Sequence, residues 1–263
     1  MTEAPTAVRP VLPASLLELA SSCFVGDLEA AAGRVVTHSA GERGGYLCLC
    51  NVHVLTTALH DVGLRAALSN AQIMFPDGEP VAWLQRRLGS PDARRIGGPD
   101  LFSLVIDEGR GVGLRHFFVG STERNLGDLT RMMRERFPGA EIVGEYAPPY
   151  APKPEVEPTA VEEIRAARAQ IVWVGLGAPK QELWSARAAR TLPNVTFIGV
   201  GAAFDFLGGR KRRAPASIQR AGLEWLYRLA SEPRRLAARY VRSNSEFMAR
   251  TAFELARRRL RAV

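Results

Sequence analysis

A chain of 263 residues with 46% hydrophobic and 24% charged side chains is long enough for one large domain or two small ones, and its composition excludes a wholly disordered polymer. No apolar run approaches the roughly 18 to 20 residues that cross a bilayer, so a membrane-spanning protein is excluded as well. The formal net charge of +8 is unevenly placed, because the segment from Arg210 to Val263 holds fifteen Lys and Arg against four Glu and the rest is slightly acidic. Such asymmetry points to a polyanionic partner, whether nucleic acid, an anionic membrane surface or ligand phosphates, unless it reflects arginine-rich composition alone.

Residues 1–22 carry Glu3, a single early Arg9 and three prolines. They lack the basic start and continuous apolar segment of a secretory signal, so they read as a loose or weakly helical extension and the chain is expected in the cytoplasm. Cys23, Cys48 and Cys50 form neither an even disulfide framework nor a C-x-x-C pair, which predicts reduced, buried thiols. From there, short apolar and β-branched runs recur at 46–50, 71–75, 115–120, 140–144, 170–175 and 195–200. Stretches of helical spacing lie between them, such as 54–69 and 122–137. The alternation predicts an α/β fold, a Rossmann-like and mainly parallel sheet flanked by helices. Pro99 suits the first turn of a helix, Ser121-Thr122 suits a helix cap, and the proline-rich 146–159 reads as a loop.

After Gly209 the pattern turns wholly helical. Pro233 opens a last helix reaching about Arg258, on which Ala237, Val241, Met248, Ala252 and Leu255 share a stripe. A basic amphipathic helix of this kind can lie on an anionic bilayer or pack on its own domain. The predicted organisation is an extension (1–22), an α/β core (23–209) and a basic helical C-terminal appendage (210–263).

Four polar clusters fall at predicted strand ends, where open α/β sheets place their ligand crevices. Asn51 follows the first strand and serves equally as a helix cap or a ligand contact. His53 and His60 are seven apart on one helical face without a carboxylate at ligand spacing, which speaks against a metal site. Pro76-Asp77-Gly78 follows the second strand, as an ordinary turn or as the seat of a carboxylate base. Arg95, Gly97, Gly98 and Asp100 bring a guanidinium and a helix N-terminus to where phosphate could sit. Val174 to Glu182, VGLGAPKQE, is strand, glycine turn and helix. It lacks both the third glycine of a dinucleotide fingerprint and the G-K-S/T of a P-loop.

Taken in order, Asn51, PDG at 76–78, RIGGPDLF at 95–102, VGLGAPKQELW at 174–184, GVGAAFDFLGG at 199–209, RAP at 213–215 and LEWLYRLASEPRRLAARY at 223–240 closely resemble the WecG/TagA/CpsF glycosyltransferases. The resemblance runs from about Cys23 to Tyr240. It implies inverting transfer of a sugar, N-acetylmannosamine, its uronic acid or a related hexose, from a UDP-sugar to a polyprenyl-diphosphate-linked saccharide in bacterial cell-surface polysaccharide assembly. It further implies Asp77 as the base, substrate contacts at Asn51, Arg95, Asp100, Gln181 and Asp205, and Arg213 and Arg228 facing the lipid diphosphate. No cofactor and no metal are expected, and the enzyme would sit peripherally on the inner face of the cell membrane, with room for a homo-oligomer. Members often read T-x-N at the first strand end; here Leu49-Cys50-Asn51 lacks the hydroxyl, which leaves the donor sugar open.

The chemistry agrees with the residues, since direct inversion needs one base and no carboxylate nucleophile. Two other classes compete. A Rossmann-type nucleotide-dependent oxidoreductase would bind a dinucleotide at VGLGAP but lacks the acidic residue ending a suitable second strand. A non-enzymatic nucleic-acid binder would use the arginine tail but lacks the interleaved aromatics of a stacking platform, so no nucleic-acid partner is expected.

Overall fold

The computed structural model describes residues 15–152, 155–220 and 222–261. Most of the predicted N-terminal extension, residues 1–14, lies outside them. In chain order the elements are α1 (Leu16–Ser21), α2 (Leu28–Ala40), β1 (Gly45–Cys50), α3 (Val52–His60), α4 (Val62–Ser69), β2 (Ile73–Pro76), α5 (Glu79–Arg87), α6 (Gly98–Gly109), β3 (Arg115–Gly120) and α7 (Glu123–Arg136). There follow β4 (Glu141–Tyr146), α8 (Pro158–Ala166), β5 (Ile171–Gly175), α9 (Lys180–Thr191), β6 (Thr196–Gly199), α10 (Ala203–Leu207), α11 (Ala216–Arg220), α12 (Glu224–Ser231) and α13 (Pro233–Arg261).

All six predicted strands form, and they pair in parallel in the order β2-β1-β6-β5-β3-β4. Alternation along each strand feeds two cores. Tyr46, Cys48 and Cys50 face one cluster with Val172, Phe197 and Trp184. Leu47 and Leu49 face the other, where Phe102, Phe118, Trp173 and Phe204 pack ring against ring. Buried on both faces, the strands read as continuous apolar runs, as parallel sheets require. The predicted helix over 54–69 is two helices. Asp61 ends α3 and caps α4, its carboxylate accepting from the Leu64 N–H at 2.9 Å.

Two expectations change. Residues 15–22 are not a loose extension: Leu16, Leu19 and Ala20 are fully buried in the first core, and Ser15 and Glu18 close a capping box on α1. The appendage, read as docked or free, is docked, and by a different stripe from the predicted one. Leu236, Ser243, Phe247 and Thr251 are the buried positions of α13, whereas Val241 and Met248 are 67% and 69% exposed. The packing face carries hydroxyls as well as apolar groups, and Val241 and Met248 of the stripe stay outside, where the bilayer alternative would have them. His53 Nδ1 meets Ser243 Oγ at 3.2 Å, and His60 Nε2 meets Glu246 Oε1 at 2.5 Å. Glu254 accepts from the Leu16 and Leu17 N–H groups at 3.3 and 3.1 Å, which satisfies the open first turn of α1. Cys23, Cys48 and Cys50 are free and buried.

Candidate active site

The chain winds from β1 to β2 on one side of the sheet and returns through β6 to the other side of β1. That reversal opens a crevice over the carboxyl ends of the strands. A cleft of about 490 Å³ occupies it, with α12 and α13 as its far wall. Asn51, Asp77, Arg95, Gln181 and Arg228 all line this cleft.

Asn51 holds two roles together. Its Oδ1 caps α3 by accepting from the Val54 N–H at 3.1 Å, which turns Nδ2 toward Asp77 Oδ2 at 3.3 Å. Asp77 is carried by the turn the sequence calls for. Its N–H donates to the Cys50 carbonyl at 3.0 Å, and Gly78 takes a φ of 120° that a side chain would resist. Three carboxylates line the cleft among the described residues. Glu79 is bound by Arg86 at 2.5 Å and Glu224 by Arg95. Asp77 alone of the three has no cationic partner within ion-pair distance among the described residues. Burial lifts its pKa above the ordinary carboxylate range, against the opposing pull of Arg95, the Asn51 amide and Arg228.

The opposite wall is strongly positive. Arg228, Arg235 and Arg239 line it. Burial, and then the like charges of Arg235 and Arg228, lower the pKa of Arg239. Arg228 lies over the Phe206 ring at 5.6 Å, and its buried Nε has no hydrogen-bond partner among the described residues. Arg235 is already paired with Glu232 at 2.5 Å, so the repulsion that an anion in the cleft would relieve is chiefly that on Arg228 and Arg239.

The remaining predicted contacts lie behind the cleft lining. Arg213 grips Asp100 through both carboxylate oxygens, at 2.5 and 2.6 Å, and its Nε is 3.6 Å from Glu224 Oε1. Asp205 pairs with Lys211 at 3.0 Å. Asp100, Arg213, Glu224 and Arg95 therefore form one chain of alternating charge that ties α12 to the core. Gln181 reaches the cleft from the first turn of α9, where its Oε1 accepts from the Gly177 N–H at 3.2 Å and its Nε2 donates to Glu182 at 2.9 Å. A Cβ on Gly199 would lie 2.8 Å from the Gln181 Cγ, so glycine there admits the side chain.

Sequence reasoning did not single out Arg235, Arg239 or Glu224, and it took Glu182 only as the end of the VGLGAPKQE cluster. The i, i+4 spacing of Arg235 and Arg239 within one helix was a usable signal for a shared face. Glu224 offered none, because its contacts are distant in the chain, and the burial of Glu182 was not legible from its place in the cluster. His53 also lines the cleft, and burial followed by the Arg239 charge lowers its pKa. No group of three or more His, Cys, Asp or Glu that could hold a metal ion occurs among the described residues.

The sequence profile described as the glycosyl transferase WecG/TagA/CpsF family matches residues 18–261. The chain belongs to that family. It is a glycosyltransferase, and the oxidoreductase and nucleic-acid readings give way. A relative from Bacillus spizizenii, strain W23, is 30% identical over 227 residues, which cover 86% of this chain and 84% of the relative. That protein is named N-acetylglucosaminyldiphosphoundecaprenol N-acetyl-beta-D-mannosaminyltransferase. The matched span includes α12 and α13, so the glycosyltransferase unit takes in the appendage that supplies one wall of the cleft.

Proposed function

We propose that this glycosyltransferase moves a hexosamine-type sugar, N-acetylmannosamine or a close relative, from a UDP-sugar to a saccharide carried on a polyprenyl diphosphate. The observation that carries the reading is the division of charge across one cleft: an unpaired, burial-perturbed Asp77 on the core side and the Arg228, Arg235, Arg239 cluster on the appendage side. The name of the Bacillus relative supports the same substrate pair.

In this reading an acceptor hydroxyl gives its proton to Asp77 as its oxygen attacks the anomeric carbon. The bond to UDP breaks on the opposite face, and the electron pair leaves with the diphosphate, so configuration inverts. The Asn51 amide holds the Asp77 carboxylate by one oxygen and leaves the other for the proton. Guanidinium groups offset the phosphate charges of leaving group and lipid carrier. Gln181 contributes to holding the donor. Arg95 is tied to Glu224 and would have to exchange that carboxylate for a phosphate in order to bind one.

The acceptor's lipid places the reaction at a membrane surface. No helix of the described residues is long and apolar enough to cross a membrane. Exposed Trp225, Leu226, Val241, Met248 and Phe253 of the appendage stand among its arginines, a combination suited to peripheral attachment on an anionic bilayer.

The test is Asp77→Asn, assayed by UDP release from UDP-N-acetylmannosamine with a short-chain N-acetylglucosaminyl diphospholipid. Turnover should fall by a factor on the order of 10² to 10⁴, with UDP affinity nearly unchanged. Undiminished turnover would remove Asp77 from the base role.

A further inference from the structure

Glu182 is 1% exposed, lies directly beneath the cleft lining, and has no role in the chemistry described above. A carboxylate in such a place is costly unless it is paired or protonated. Its only hydrogen bond to another side chain among the described residues is the one its Oε1 accepts from Gln181 Nε2 at 2.9 Å, and its Oε2 has no partner there. Burial raises its pKa to about 7, with the Asp77 charge acting in the same direction.

A side-chain amide can be flipped end for end at little steric cost, so its orientation in a binding site must be set by its partners. At Gln181 two partners set it. Glu182 is an acceptor and demands the NH₂ end, while the Gly177 N–H is a donor and demands the carbonyl end. Gly177 has a φ of 76°, so the backbone donor is itself fixed by a conformation that favours glycine. With one N–H and one lone pair engaged, the amide keeps one N–H and one lone pair for a ligand, in a known order.

We propose that Glu182 is a positioning residue for donor recognition, holding the Gln181 amide in a single orientation at the wall of the cleft. The inference rests on the reading of this cleft as the donor site. It predicts a loss that falls on the donor, with the acceptor spared.

The experiment uses the full chain, with UDP-N-acetylmannosamine as donor probe and a short-chain N-acetylglucosaminyl diphospholipid as acceptor. Glu182→Leu removes the acceptor atom and should raise the donor KM about tenfold, the worth of one ordered hydrogen bond, with kcat changed less than about threefold and acceptor KM unmoved. Glu182→Gln restores an acceptor and should bring the donor KM back to within about threefold of wild type. A donor KM unaffected by Glu182→Leu overturns the proposal, as does an equal rise in donor and acceptor KM. Should Glu182→Leu fail to fold, Glu182→Met, which is closer in length and also lacks an oxygen acceptor, is read in its place, and an unmoved donor KM is the refuting result. A wild type that turns over no UDP-sugar with any lipid diphosphate acceptor overturns the reading of the cleft and this inference with it. A working wild type with indifferent Glu182 variants overturns the inference alone.

Discussion

Replacing Glu182 by Gln should stabilise the protein, and by an amount that grows with pH. In the unfolded chain the carboxyl titrates near 4.5, and in the native state burial moves it to about 7. Between those values the native state binds more protons than the unfolded state, so the contribution of this group to stability falls as pH rises and levels off above about pH 7. At 1.36 kcal/mol per pK unit the full cost is about 3 kcal/mol, most of which develops between pH 5 and pH 8. Gln has nearly the same shape, can still accept from Gln181 Nε2 and carries no proton to lose. Urea unfolding of wild type and Glu182→Gln at both pH values isolates the group, because every other titration is common to the pair. The stability difference should favour the variant by about 2 to 3 kcal/mol more at pH 8 than at pH 5, or about 1 M in urea midpoint for a slope of about 2 to 3 kcal/mol/M. A difference independent of pH would mean that Glu182 does not change its protonation on unfolding, and the account of a buried carboxyl would fail.

Phe247, 3% exposed where α13 meets the first core, should be the anchor of the appendage. Phe247→Ala is expected to cost about 3 kcal/mol or more and to speed tryptic cleavage of the arginine-rich 210–261 segment by about two orders of magnitude if opening is in equilibrium; an unchanged cleavage rate would count against docking through this side chain. Because guanidinium groups stand where the diphosphates would bind, transfer should proceed at full rate in EDTA, and a requirement for Mg²⁺ or Mn²⁺ restored by adding the ion would contradict that. Binding to vesicles rich in anionic lipid should weaken steeply between low and physiological salt, where the screening length shortens to about 8 Å. Equal binding to neutral and anionic vesicles would separate the +11 excess of the appendage from any membrane role.

The sequence by itself determined the sheet. Six apolar runs became six strands within a residue or two at most ends, because a parallel sheet covered on both faces leaves its strands few polar positions, here buried His116 and Thr196 and the two glutamates of edge strand β4. It also determined local turn chemistry. Asn51 at the start of α3 and Thr122 at the start of α7 cap because their short oxygens reach backbone N–H groups three residues on, whereas the Asp61 cap that divides 54–69 into two helices was passed over. Those are interactions within a few residues, and a linear pattern records them. The family resemblance added which of these residues to watch.

Only the tertiary structure decided how they meet. Asn51 and Asp77 are 26 residues apart, and they touch because β1 and β2 end side by side in register, with Cys50 opposite Pro76. The turn and site readings of Pro76-Asp77-Gly78 were not competitors, since the turn is what holds the carboxylate at the cleft. The docking face of α13 was not legible, because Ser243 and Thr251 are buried there and a hydroxyl that finds a partner or a snug pocket does not announce itself by hydropathy. Arg95, Asp100, Arg213 and Glu224 come from separate parts of the chain and pair only once α12 closes on the core. Charge is a property of each residue, but whether a guanidinium is spent on an internal carboxylate, as in Arg213, or held open among its own kind, as in Arg228 and Arg239, depends on what the fold brings within a few ångströms.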